Sequence, residues 1–163
     1  MPVKKIILLS LALLLPVGIF LFLKTFGRNQ FDVPPLHQEK WDSSISNCEA
    51  TYTLPYKLAD STMARLRSVK YAQVYVVNFS ESESVVQSIE DEIAAGEAVV
   101  INGEDLIRED QVAHFRDCVF LLALPYNVVA IDSAGRIRGY YDGNDREDTD
   151  RMEVEIKIIL KKY

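Results

Sequence analysis

The 163-residue chain carries 18 Lys and Arg against 24 Asp and Glu, a net charge of −6. Setting aside Lys4, Lys5 and Lys24, which flank an apolar stretch, leaves 15 basic residues against the same 24 acids, or −9. That surplus argues against nucleic-acid binding and against docking on anionic lipid. Two cysteines that form neither CxxC nor a cluster exclude a zinc ribbon or finger.

The short start Met1–Lys5 precedes 18 uncharged, largely apolar positions, Ile6–Leu23. As a helix rising about 1.5 Å per residue this run reaches roughly 27 Å, close to a hydrocarbon core of about 30 Å. It predicts one transmembrane anchor, in contact with membrane lipid through residues 6–23. The competing reading is a cleaved signal peptide. The run is longer than an h-region of about 7–15 residues, and it ends in Phe20, Leu21, Phe22, Leu23 and Lys24 with no small-residue pair for cleavage. An uncleaved anchor is therefore expected. Lys4 and Lys5 before the run and Lys24 and Arg28 after it leave the charge rule nearly balanced. A start as short as residues 1–5 is expected to stay in the cytoplasm. The acidic remainder then faces the extracytoplasmic (periplasmic) side of the cytoplasmic membrane, as a single-pass protein.

Residues 24–56 read as linker and lead-in, with Pro34-Pro35 favouring extended backbone and with Ser43, Ser44 and Ser46. Trp41 is expected either at the membrane interface or, the favoured reading, over an edge of the core, and Thr51–Tyr56 is compatible with a lead-in strand or hairpin. Residues 57–163 form the expected domain. Gln73–Phe79 is β-branched and aromatic and reads as a central buried strand. From Ser84, the positions Val85, Val86, Ile89 and Ile93 recur at helical spacing, with Gly96 as the stop. Ala98–Ile101 is a second buried strand, and the two strands with the helix between them predict a βαβ unit. Asp110–Leu124 is a predicted helix with Val112, Phe115, Val119 and Leu122 on one face and Pro125 after it. Tyr126–Ile131 and Arg136–Tyr141 are predicted to form a hairpin around Asp132–Gly135, with Gly135 at positive φ. Thr149–Lys162 closes the chain as a helix with Met152, Ile156, Ile159 and Leu160 inward. The order β-α-β-α-β-β-α gives an α/β fold with a mixed sheet, similar to the thioredoxin order.

The segment Asn127–Gly143 (NVVAIDSAGRIRGYYDG) resembles the C-terminal hairpin of Sco/SenC proteins, and Asp145–Leu160 resembles the last helix of that family. The resemblance covers about 35 residues of the chain. It implies a thioredoxin-like domain, a membrane tether, and a role in respiratory-complex assembly. The family carries a CxxxC pair and a distant His that bind copper or handle thiols. Aligned from Phe79, the first Cys falls between Ser82 and Ser84, the second between Val86 and Ser88, and the His near Leu124; none is present. The resemblance therefore implies a divergent, non-catalytic member with no metal and no cofactor. Pro125 stands where thioredoxins carry a cis-proline. It reads either as a retained partner-contact edge, together with Ser84 and Leu124, or as a helix stop.

His114 and Cys118 are four apart on one predicted helix face, the one pair with ligand spacing, but two ligands do not close a metal site. Asp142, Asp145, Asp148 and Asp150 lack the EF-hand order. Cys48 and Cys118 either pair, as an oxidising compartment permits, or are two unrelated buried thiols. The leading expectation is a binding or assembly protein whose partners are other membrane or extracytoplasmic proteins. The alternatives are a thiol–disulfide oxidoreductase using Cys48 and Cys118, and a structural subunit of a membrane complex.

Overall fold

The structure, a computed structural model, describes residues 3–26, 32–39, 48, 52–81, 85, 89, 93 and 96–161. Inside the first helix the side chains at 6–9, 11, 23, 25 and 26 are outside that set. Ser84 and Trp41 also lie outside the described residues. The chain divides into two compact units, Met1–Phe31 and Asp32–Tyr163.

In the first unit, helix α1 runs Val3–Phe26 over 24 residues, with Pro16 inside it and Lys24 in its last turn. Side chains 12–22 are exposed. Among the described residues no helix is long and apolar enough to cross a membrane. Of the expected span 6–23, the side chains at 6–9, 11 and 23 are not among those described.

The second unit begins at Asp32, well before the boundary expected at residue 57. The reason is that the stretch read as linker is bonded to the domain. The Leu36 amide donates to the Ile137 carbonyl at 2.8 Å, Tyr56 to His37 at 3.0 Å, and Leu58 to Gly135 at 2.9 Å. Residues 52–56 form no strand.

Four strands build one sheet: β1 (Val74–Asn78), β2 (Ala98–Asn102), β3 (Val128–Asp132) and β4 (Ile137–Tyr141). Their spatial order is β2-β1-β3-β4. β1 runs parallel to β2, with Val76 opposite Val100, and antiparallel to β3, with Val76 opposite Ala130. β3 and β4 form the expected hairpin, with Val129 opposite Tyr140. Gly135 in its turn has φ +79°, and the Asp132 carboxylate accepts from the amides of Ala134 and Arg136, both at 3.0 Å. The two central strands are buried at every residue, which is why they read as continuous apolar runs rather than alternating ones.

A core lies on each face of the sheet. Tyr75, Val77, Val129 and Ile131 point to one, with Met63, Leu66, Phe120 and Ile137. Val74, Val76, Val128 and Ala130 point to the other, with Val85, Ile89, Tyr141, Met152 and Ile156. Successive strand residues thus serve opposite faces. Val85 and Ile89 are helical, and Val85, Ile89 and Ile93 are buried, on the face that their spacing predicts.

Four helical elements differ from the expectation. Helix α2, Asp60–Val69, was not anticipated; it buries Thr62, Met63 and Leu66. The short helix α3, Gly103–Leu106, is capped by the Asn102 side chain, which accepts from the Glu104 amide. The expected helix Asp110–Leu124 is broken into a 3-10 turn (Glu109–Gln111), an α turn (Val112–His114) and a π turn (Phe115–Val119). Phe120, Leu121 and Leu122 are buried in succession, and three consecutive residues cannot share the inward stripe of one helix. The chain leaves the helix there, through Leu121 at φ +57°. The closing helix α4 spans Arg146–Ile159 rather than Thr149–Lys162. Asp145 caps it by accepting from the Glu147 amide at 3.0 Å, which sets the start three residues earlier than hydrophobic spacing alone suggests.

Candidate functional site

The C-terminal end of β1 meets the start of β3 and the loop after β4. Here the Asn78 side-chain oxygen accepts from the Ser80 amide at 2.8 Å and from the Ser80 hydroxyl at 2.6 Å. The Phe79 amide donates to the Asn127 carbonyl at 2.9 Å. The Asn127 side-chain oxygen accepts from the Gly143 amide at 2.7 Å. Asp142 accepts from the Asn144 amide at 2.9 Å, and its own amide donates to Asp148 at 2.9 Å. The packing is close: a Cβ on Gly143 would lie 2.7 Å from Ser80 Oγ and 2.9 Å from methyls of Val85 and Val128.

This corner is well ordered by amides but poor in reactive groups. The Ser80 hydroxyl gives its proton to an amide oxygen, not to a base, so it is not activated as a nucleophile. The sequence holds no cysteine between Phe79 and Ser88. Of the expected partner-contact residues, Ser84 lies outside the described set. Leu124 and Pro125 are both exposed, Leu124 at 93%. The Leu124–Pro125 peptide bond is cis. Pro125 is not the helix stop, because the helical segment has already ended before Leu121. Tyr126 follows and stacks on Tyr140 with ring centroids 6.2 Å apart.

The two cysteines are elsewhere and are bonded to each other. Cys48 and Cys118 form a disulfide with Cα atoms 5.7 Å apart. Cys118 is therefore not free to act with the exposed His114 as a ligand pair. Two tyrosines flank the bridge. The Tyr52 hydroxyl donates to the Cys118 carbonyl at 2.9 Å, and the Tyr56 hydroxyl donates to the Val119 carbonyl at 2.6 Å. The rings of Tyr52 and Tyr56 meet edge to face at 5.8 Å. Burial, followed by the neighbouring Tyr52 hydroxyl, pushes the Tyr56 phenol up to about 12. The i, i+4 spacing of these tyrosines could have marked them in the sequence, although the partner segment 66 and 63 positions away could not be read.

A third feature is a groove of about 300 Å³ beside β4, lined by Val33, Pro34, Tyr126, Arg138, Tyr140 and Arg151, among others. Arg138 is buried, pairs with Asp132 at 3.2 Å and donates to the Val33 carbonyl. Arg151 pairs with Asp148 at 2.9 Å, donates to the Tyr140 carbonyl at 3.1 Å and lies over the Tyr141 ring. The charged groups lining the groove are thus committed to the fold.

Compared with known proteins, the chain matches no family model, no curated protein and no solved structure.

Proposed function

We propose that this chain is a membrane-anchored, extracytoplasmic protein with a thioredoxin-like domain, a divergent Sco/SenC-type protein that binds or positions partners and does not perform redox catalysis. The observation that carries this reading is the corner at the end of β1. The sheet order β2-β1-β3-β4, parallel then antiparallel, is compatible with a thioredoxin-like fold, in which thiol chemistry belongs at that corner. A thiol acting there needs to sit at a helix N-terminus, where its pKa is lowered. In this chain the corner holds the Asn78–Ser80 turn packed on Gly143, and both cysteines are spent in a bridge on another segment. The anchor rests on the uncharged run Ile6–Leu23 inside a helix of 24 residues, about 36 Å long at the usual rise.

Two experiments test the reading together. Affinity capture of the full chain from detergent-solubilised membranes is expected to retain a defined membrane or extracytoplasmic partner. Leu124→Asp is expected to weaken that capture, because Leu124 is exposed on the turn before β3. An insulin-reduction assay is expected to give no turnover; robust turnover overturns the non-catalytic reading. A thiol–disulfide oxidoreductase working through Cys48 and Cys118 is the second reading, favoured by the half-exposure of both cysteines, and that assay separates the two.

A further inference from the structure

The Cys48–Cys118 bridge has an unusual position for a structural staple. It belongs to neither core cluster. Neither cysteine is fully buried, and exchange requires an incoming thiolate to reach a sulfur. The helical segment that carries Cys118, Glu109–Val119, contains no fully buried residue, and touches the core through the partly buried Val112, Phe115 and Val119. Described residues farther along the chain in both directions from Cys48 are bonded to the domain. Upstream, Leu36 bonds to Ile137; downstream, Tyr56 bonds to His37 and Leu58 to Gly135. Opening the bond therefore removes one surface cross-link. It is expected to leave the strand ladder, both cores and the Leu36 and Leu58 backbone bonds in place. What it loosens is the contact between the Tyr52–Tyr56 stretch and the π turn, where the two tyrosine hydroxyls donate to the Cys118 and Val119 carbonyls.

We propose that Cys48–Cys118 is a reducible clamp: an external dithiol opens it by thiol–disulfide exchange and releases the lead-in from the broken helical segment while the domain stays folded. A thiolate of the dithiol attacks one protein sulfur and displaces the other as a thiolate, giving a mixed disulfide. The second thiol of the dithiol then displaces the remaining protein sulfur. Cys48 and Cys118 end as two thiols, reduced by two electrons and carrying the two protons that the dithiol gave up. The dithiol ends as a disulfide. The inference does not depend on the thioredoxin-like reading. It makes the attachment of the lead-in responsive to the thiol poise of the space that the domain faces.

The test uses the full chain in detergent micelles with dithiothreitol as the dithiol. Under native conditions, alkylation followed by mass measurement is expected to show two new thiols. Hydrogen exchange is expected to speed up roughly tenfold or more at amides of Tyr52–Tyr56 and Val112–Phe120. Amides of Val74–Asn78 and Val128–Asp132 keep their protection. A Cys48→Ser, Cys118→Ser double variant is expected to reproduce the reduced pattern without dithiol. Three results overturn the proposal. The bond may open only when the central strands also exchange; reduction may leave the two segments as protected as before; or the double variant may fail to fold, which makes the bridge a requirement of the fold.

Discussion

The Tyr56 hydroxyl donates a 2.6 Å hydrogen bond to the Val119 carbonyl, joining the lead-in to the π turn across 63 positions of sequence. That carbonyl lies where the helix breaks, so regular helical bonding does not oblige it to have a partner. Tyr56→Phe removes the donor and keeps the ring. The expected cost is about 1–2 kcal/mol, the range for a hydrogen bond whose acceptor is left shielded from water. Urea denaturation of the variant measures it, and an unshifted midpoint would show that solvent replaces the bond.

Among the described residues, Asp132 is the most heavily used carboxylate of the domain. It is 5% exposed and accepts from two amides, from the Arg136 guanidinium at 2.8 Å and from the buried Arg138 at 3.2 Å. Asp132→Ala leaves Arg138 charged and without its principal partner. Removing one member of a buried pair costs about 3–5 kcal/mol. The same change also undoes the turn before β4. Chemical denaturation of Asp132→Ala beside Arg136→Ala, whose side chain is more exposed, is expected to show a much larger loss for the former.

Alkaline pH is expected to destabilise the domain through its tyrosines. Burial raises the phenols of Tyr56, Tyr140 and Tyr141 above the ordinary value of 10.0, and a hydrogen bond to Glu155 adds to the effect at Tyr141. Above pH 10 the unfolded chain gives up protons that the folded chain retains, so unfolding is favoured as pH rises. The stability these groups lend is complete below pH 10 and is lost above it, by at most about 1.4 kcal/mol per pH unit for each fully shielded phenol. Denaturation midpoints between pH 8 and 11.5 follow this. A flat profile above pH 10 would mean that the three phenols titrate normally.

Gly143→Ala probes the corner at the end of β1. The added methyl would meet methyls of Val85 and Val128 at 2.9 Å. Both belong to β-branched side chains with little rotamer freedom, so the backbone must shift. A loss of about 1–3 kcal/mol is expected, as for other overpacked sites. Retention of wild-type stability would show that the Asp142–Gly143 loop yields easily.

The sheet was legible because its inner strands are buried on both faces and therefore carry long apolar runs, as in Val74–Asn78 and Val128–Asp132. The hairpin turn was legible because Gly135 at positive φ leaves a local signature. Helix α2 was missed: only Thr62, Met63 and Leu66 of its ten residues are buried, too narrow a stripe to stand out among polar neighbours. The break after Val119 was not legible because Val112, Phe115, Val119 and Leu122 keep a helical period across it, while the burial of Phe120, Leu121 and Leu122 in succession is a tertiary fact. The packing of Asp32–Gln38 on β4 was illegible for the same reason: Pro34-Pro35 signals extended backbone but not what that backbone touches.

β4 lies at the margin of the sheet, where a strand ordinarily offers its unpaired carbonyls to any passing extended chain. Here the Ile137 carbonyl is taken by the Leu36 amide and the Tyr140 carbonyl by the Arg151 guanidinium. A foreign strand arriving at this margin would have to displace an arginine and peel off a proline-bearing segment of the chain before it could register. The lead-in thus covers part of this border, and shortening the chain past Leu36 is expected to bare the Ile137 carbonyl to foreign strands even though every strand of the sheet remains.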